Sequence, residues 1–108
     1  MKYIKNFESI KDNPEVGDYI LAKYNSKHDF NTSIKNLKNF INNNIGIVHS
    51  LDYIRNSCYF NIKYENIPKN IINFFDDGIK RFNFESIVEF DKDLEHLKFK
   101  IEAKKFNI

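Results

Sequence analysis

Residues 45–67 read IGIVHSLDYIRNSCYFNIKYENI, and this stretch decides the fold class. It opens on a β-branched run around a glycine, Ile45-Gly46-Ile47-Val48. It continues into an alternating segment, with Cys58, Phe60, Ile62 and Tyr64 on one face and Tyr59, Asn61, Lys63 and Glu65 on the other. Period-two alternation marks a strand that is half buried and half wet. Between the two lies Leu51–Ser57, where Asp52, Arg55 and Asn56 are expected to form a polar connection. The stretch therefore predicts two strands joined as a hairpin.

Working outward toward the N-terminus, Asn31 or Thr32 is expected to cap a helix. Ile34, Leu37, Phe40 and Ile41 follow at helical spacing, giving a short helix that ends at Asn42-Asn43-Asn44. Before it, Asn25–Asn31 reads as a polar loop. Val16–Tyr24 reads as a strand entered through Gly17-Asp18, with Ile20, Ala22 and Tyr24 on one face and Tyr19, Leu21 and Lys23 on the other. Lys11–Pro14 is a turn, because proline fixes its own φ and restricts the residue before it. Residues 1–9 suit a short helix or an extended arm equally.

Toward the C-terminus, Pro68 opens a helical turn carrying Ile71, Ile72 and Phe75, and Asp76-Asp77-Gly78 closes it. Ile79–Phe90 reads as a strand. Asp91 is expected to cap a terminal helix over 91–106, with acids early (Asp93, Glu95) and lysines late (Lys104, Lys105), the order that suits a helix dipole. Leu94, Leu97 and Ile101 share its apolar face. Leu97, Phe99, Ile101 and Ala103 also alternate as a strand would, and the cap and charge order favour the helix.

Val16-Gly17-Asp18-Tyr19-Ile20, followed by Ile45-Gly46-Ile47-Val48, resembles the VGDxV…xGxV pattern of SH3-like small barrels, including the KOW type. The resemblance spans 16–24, 45–67 and the strand near 79–90. It implies that Gly17 turns the chain into the first strand and that Gly46 lets the second bend sharply across a barrel. The expected fold is α+β: one SH3-like antiparallel β-barrel domain, core about 16–90, with a short helical insertion and a C-terminal helix.

The chemistry that composition excludes is extensive. One cysteine allows neither an intrachain disulfide nor a cysteine-based zinc site, and Cys58 on an apolar face reads as an inert thiol. His28, His49 and His96 lack metal-ligand spacing. Cys58 with His49 across the hairpin is the one nucleophile–base pairing the sequence offers, and apolar neighbours argue against it. Glu89, Asp91, Asp93 and Glu95 form an acidic cluster without the glycine of a calcium loop, and read as helix-start charges. Three glycines leave no phosphate-cradling loop. No cofactor is expected, and the chain is expected not to be an enzyme.

Eleven phenylalanines and six tyrosines exceed what one small core needs. Phe60, Phe74, Phe82 and Phe90 are the core candidates. Tyr19, Tyr24, Tyr53 and Tyr59, with Lys23 and Lys63, are the candidate binding residues, because a tyrosine hydroxyl favours water or a partner and protein interfaces favour tyrosine. Seventeen basic against 15 acidic residues give a net charge of +2, with the signs mixed along the chain. That balance favours a protein partner over nucleic acid, the alternative. An aromatic pocket for a small ligand ranks third. No apolar run reaches the length of a membrane span and no signal segment opens the chain, so a cytoplasmic protein is expected. The abundance of Asn, Lys, Ile and Phe points to a low-GC genome. A phage or mobile-element accessory protein that inhibits a host enzyme or defence complex is the corresponding role.

Overall fold

The computed structural model describes residues 13–24 and 31–106. The expected N-terminal segment, most of the polar loop, and His28 lie outside the described residues. The architecture is α+β: a five-stranded antiparallel sheet with two helices. In chain order the elements are β1 (Tyr19–Ala22), α1 (Thr32–Asn43), β2 (Gly46–Ile54), β3 (Ser57–Lys63), β4 (Ile79–Asn83), β5 (Ile87–Asp91) and α2 (Leu94–Phe106). Short 3-10 turns occupy Ile72–Phe74 and Phe84–Ser86. The sheet order is β4-β3-β2-β1-β5. β5 crosses back to pair with β1, as it would in a small barrel, but β4 and β5 do not pair. The expected barrel is therefore only approximate, an open sheet with two edges.

The chain enters β1 through a tight turn. Asp18 N–H donates to Glu15 C=O at 2.9 Å, Gly17 sits at φ +97, and the buried Asp18 carboxylate accepts from Glu15 N–H at 2.9 Å. A positive φ at the third turn residue requires glycine, the backbone reason for Gly17. Gly46 serves differently. A Cβ there would lie 2.5 Å from Ile62 Cγ2 and 2.9 Å from Lys63 O, so the missing side chain permits a close strand crossing.

The hairpin differs from expectation at its connection. Leu51–Ile54 belongs to β2, and the turn shrinks to Arg55-Asn56, both left-handed (φ 50 and 68). Two such residues make the tight hairpin turn whose twist matches the strands. A bulge at His49 shifts the register between Val48 and Ser50, so Val48 faces Ile62 while Leu51 faces Phe60. The extra residue keeps both apolar side chains on the inner face.

Ile79–Phe90 is two strands rather than one. The Asn83 side chain accepts from Ser86 N–H at 3.2 Å and Ser86 Oγ–H at 3.1 Å, which closes the 3-10 turn and redirects the chain to β1. At the terminal helix the cap is Asp93, not Asp91. Asp93 Oδ1 accepts from Glu95 N–H at 2.9 Å, while Asp91 remains in β5 and accepts from Asp93 N–H at 2.8 Å. The helix, not the rival strand, forms over 94–106.

The core lies on the inner face of the sheet. Ile20, Ala22, Val48, Phe60, Ile62 and Phe82 come from strands, and Leu37 and Ile41 from α1. Asn31 caps α1, its Oδ1 accepting from Ser33 and Ile34 N–H. Phe40, Tyr64 and Phe75 meet edge to face, centroids 5.7–6.0 Å apart, a favoured aromatic arrangement. Of the core candidates, Phe74 is exposed and Phe90 is half-buried. Among the described residues no helix is long and apolar enough to cross a membrane.

Candidate functional site

The two ends of the sheet carry different chemistry. At the β5 end, α2 lies over β1 and β5, and Leu97 is fully buried there, away from the main core. Asp91 receives His96 at 2.8 Å and Lys100 at 3.0 Å, and Glu89 receives Lys104 at 3.5 Å. Asp93 N–H, followed by the Lys100 ammonium and His96, holds the Asp91 carboxyl below the usual carboxylate range. The acidic cluster is thus spent on a cap and on ion pairs. Among the described residues no three His, Cys, Asp or Glu side chains converge on a metal-sized site.

At the β4 end the outer face holds a polar ladder across three strands. Asn61 Nδ2 donates to Ser50 Oγ at 3.0 Å and Asp52 Oδ2 at 2.9 Å. Arg81 donates through Nη2 to Asp52 Oδ2 at 2.6 Å and through Nε to Asn61 Oδ1 at 3.3 Å. The Asn61 amide, with the Arg81 guanidinium beside it, lowers the Asp52 pKa. These bonds fix the direction of Arg81, whose guanidinium lies 5.8 Å from the Tyr59 ring centroid.

The structure divides the six sequence-predicted binding residues among three places. Lys23, Tyr24 and Tyr59 come together in a groove of about 500 Å³ between the end of β1 and the edge of β4, joined by Lys80, Arg81 and Glu85. Lys80 shares the inner face with Phe82, and its ammonium stands 5.3 Å from the Tyr24 ring centroid. Burial lowers the Lys80 pKa, since a half-desolvated ammonium loses hydration. Tyr19 and Lys63 flank Ile47 on the outer face, in a separate groove with Leu94 and Lys98. Tyr53, 75% exposed, belongs to a third, apolar cleft with Leu51, Phe60 and Phe84.

Lys80 and Arg81 join the groove without being among the binding residues that the sequence pattern marks. The available signal was parity: if Phe82 faces inward, so does Lys80, an unusual place for an ammonium. The Cys58–His49 pairing is not assembled. Cys58 faces Tyr53 near the hairpin turn, while exposed His49 sits at the bulge, four residues further along β2. At about 3.3 Å per residue that is beyond proton-transfer reach.

No protein-family model, no curated protein and no solved structure matches the chain. The groove's own chemistry therefore carries the functional reading.

Proposed function

We propose that the chain is a non-enzymatic binding module that acts by protein–protein contact through the groove between β1 and β4. The observation that carries this reading is the pairing of each groove tyrosine with a cation: Arg81 on Tyr59 and Lys80 on Tyr24. Both rings are half-buried, so each cation–tyrosine pair is held in place at the groove wall rather than loose at the surface. Tyrosine and arginine in a shaped concavity are the residue types that dominate protein interfaces. Among the described residues that line the groove there is no cysteine or histidine, and Glu85 tempers the positive charge.

Nucleic acid is the second reading, favoured by the convergence of Lys23, Lys80 and Arg81. It requires affinity that falls steeply with salt. Inhibition of a host enzyme or defence complex by occlusion, in a phage or mobile-element setting, is the role in keeping with the Asn/Lys/Ile-rich composition.

The test is affinity capture from lysate of the source cell with immobilised full-length chain, after nuclease treatment and at physiological salt. The reading expects a specific protein to be retained, and to be lost when exposed Lys23→Glu is combined with half-buried Tyr59→Ser, in a variant whose far-UV circular dichroism matches the parent. Retention of nucleic acid alone, or equal capture by the variant, overturns it.

A further inference from the structure

The two free edges of the sheet are not equivalent. Along β5, side chains take three main-chain groups on the side away from β1. Lys104 Nζ donates to Val88 C=O at 3.2 Å, Lys100 Nζ donates to Phe90 C=O at 3.1 Å, and Phe90 N–H donates to Glu89 Oε1 at 3.4 Å. Charged side chains laid over an edge prevent strand addition.

Along β4 the hydrogen-bond parity leads elsewhere. Tyr64 N–H donates to Gly78 C=O at 2.9 Å, so Gly78 faces β3. Ile79 then faces outward, and both its main-chain groups are closed by Asp76, at 2.8 and 3.0 Å. Antiparallel pairs alternate, so Lys80 and Phe82 face β3, while Arg81 presents its amide and carbonyl, and Asn83 its amide, to the free edge; the Asn83 carbonyl opens the 3-10 turn at Phe84–Ser86. Among the described residues nothing closes the Arg81 pair. The tyrosine- and cation-lined groove runs beside this open stretch.

We propose that the open edge of β4 takes an extended, acidic segment of a partner protein, which pairs with both main-chain groups of Arg81 and with the Asn83 amide as a sixth strand of the sheet. The proposal rests on the protein-binding reading above and names the partner's chemistry. Charge selects the occupant. Lys80 lies on the inner face of β4 and Arg81, already bonded to Asp52, on the outer face, with Lys23 across the groove, so a row of alternating acidic side chains, which occupies one face of an added strand, meets a cation whichever face it takes. The same charge disfavours a second copy, because antiparallel β4–β4 pairing through the open Arg81 groups sets Arg81 against Arg81, with Lys80 opposite Phe82, and like charges directly opposed destabilise a sheet. Strand addition draws affinity from main-chain bonds and specificity from alternate side chains.

The test is an amide-resolved NMR titration of the full-length chain with three capped synthetic peptides: alternating Glu-Val, alternating Lys-Val, and the Glu-Val peptide with proline at the central valines. The expected result is that the Glu-Val peptide slows Arg81 amide exchange about tenfold or more and leaves Phe90 unchanged. The Lys-Val and proline peptides leave Arg81 unchanged. Lys23→Glu, at an exposed position, weakens Glu-Val binding without altering the free chain's spectrum elsewhere. Equal binding of the proline peptide overturns strand addition, and protection at Phe90 overturns the choice of edge. Arg81 protection in the free chain at rising concentration assigns the edge to a second copy. No Arg81 response, in a chain that still captures a lysate protein, removes this proposal and leaves the protein-binding reading standing.

Discussion

The β5 end and the β4 end of one sheet handle the same hazard in opposite ways. At β5 a helix seals the outer face with Leu97, and its lysines occupy the edge carbonyls. At β4 the outer face carries a hydrogen-bonded polar ladder, and the edge beyond Ile79 stays open beside a groove. Unpaired edges invite association, and proteins ordinarily blunt them. One edge is guarded by a whole helix, and the other is closed at Ile79 and open at Arg81; under the proposed reading the first serves stability and the second contact.

The largest way to break this contrast is to unseal the guarded end. Leu97→Ala is expected to cost about 2–5 kcal/mol, as for other fully buried leucines, read by urea unfolding. Exchange should accelerate first over α2 and β5. Phe99→Ala, on the same helix but 70% exposed, is the control, with a change within about 0.5 kcal/mol. Equal effects of the two would mean that α2 does not seal the sheet through Leu97.

Gly46→Ala comes next, because the added methyl must displace the Lys63 carbonyl or Ile62. Overpacking of this kind costs about 1–3 kcal/mol, and thermal denaturation reads it. The loss should spread across both ends, since β2 lies between them.

The Tyr64 hydroxyl is buried without a hydrogen-bond partner among the described residues, and burial raises its pKa. Tyr64→Phe keeps the ring contacts with Phe40 and Phe75 and removes the unsatisfied group. It should leave stability unchanged or raise it by about 1 kcal/mol. A clear loss of stability would mean that the hydroxyl has a partner.

Acid sharpens the contrast with a smaller effect. The folded-state pKa of Asp91 is lowered, so its ion pairs stabilise fully above the ordinary carboxylate value of about 3.9 and fade as pH falls below it. Exchange over α2 and β5 should rise in that window ahead of the rest of the sheet. Asp91→Asn should flatten that local response.

Much of the fold was legible because local signals agreed with one another. The alternation in 58–64, the Asn31 cap and the Gly17 turn each specify an element from a few adjacent residues. Three features were hidden because each turns on a single residue. The bulge at His49 inverts the parity of half of β2, and only pairing with β3 reveals it. Asn83 breaks Ile79–Phe90 in two through a side-chain cap that competes with strand continuation. Asp93 takes the cap expected of Asp91 because Asp91 is held in register with Tyr19. The binding residues were legible as residue types but not as a group. Strand order parts Tyr19 and Lys63 from Lys23, Tyr24 and Tyr59, and it brings in Lys80 and Arg81 from a strand that sequence alone fused with its neighbour.

The most direct test of the edge contrast is hydrogen–deuterium exchange of the full-length chain, alone and bound to the protein it captures from source-cell lysate. New protection confined to residues 79–86, with 87–106 unchanged, is the predicted result. New protection over 87–106, or over the hairpin tip at 51–58 with 79–86 unchanged, would contradict it.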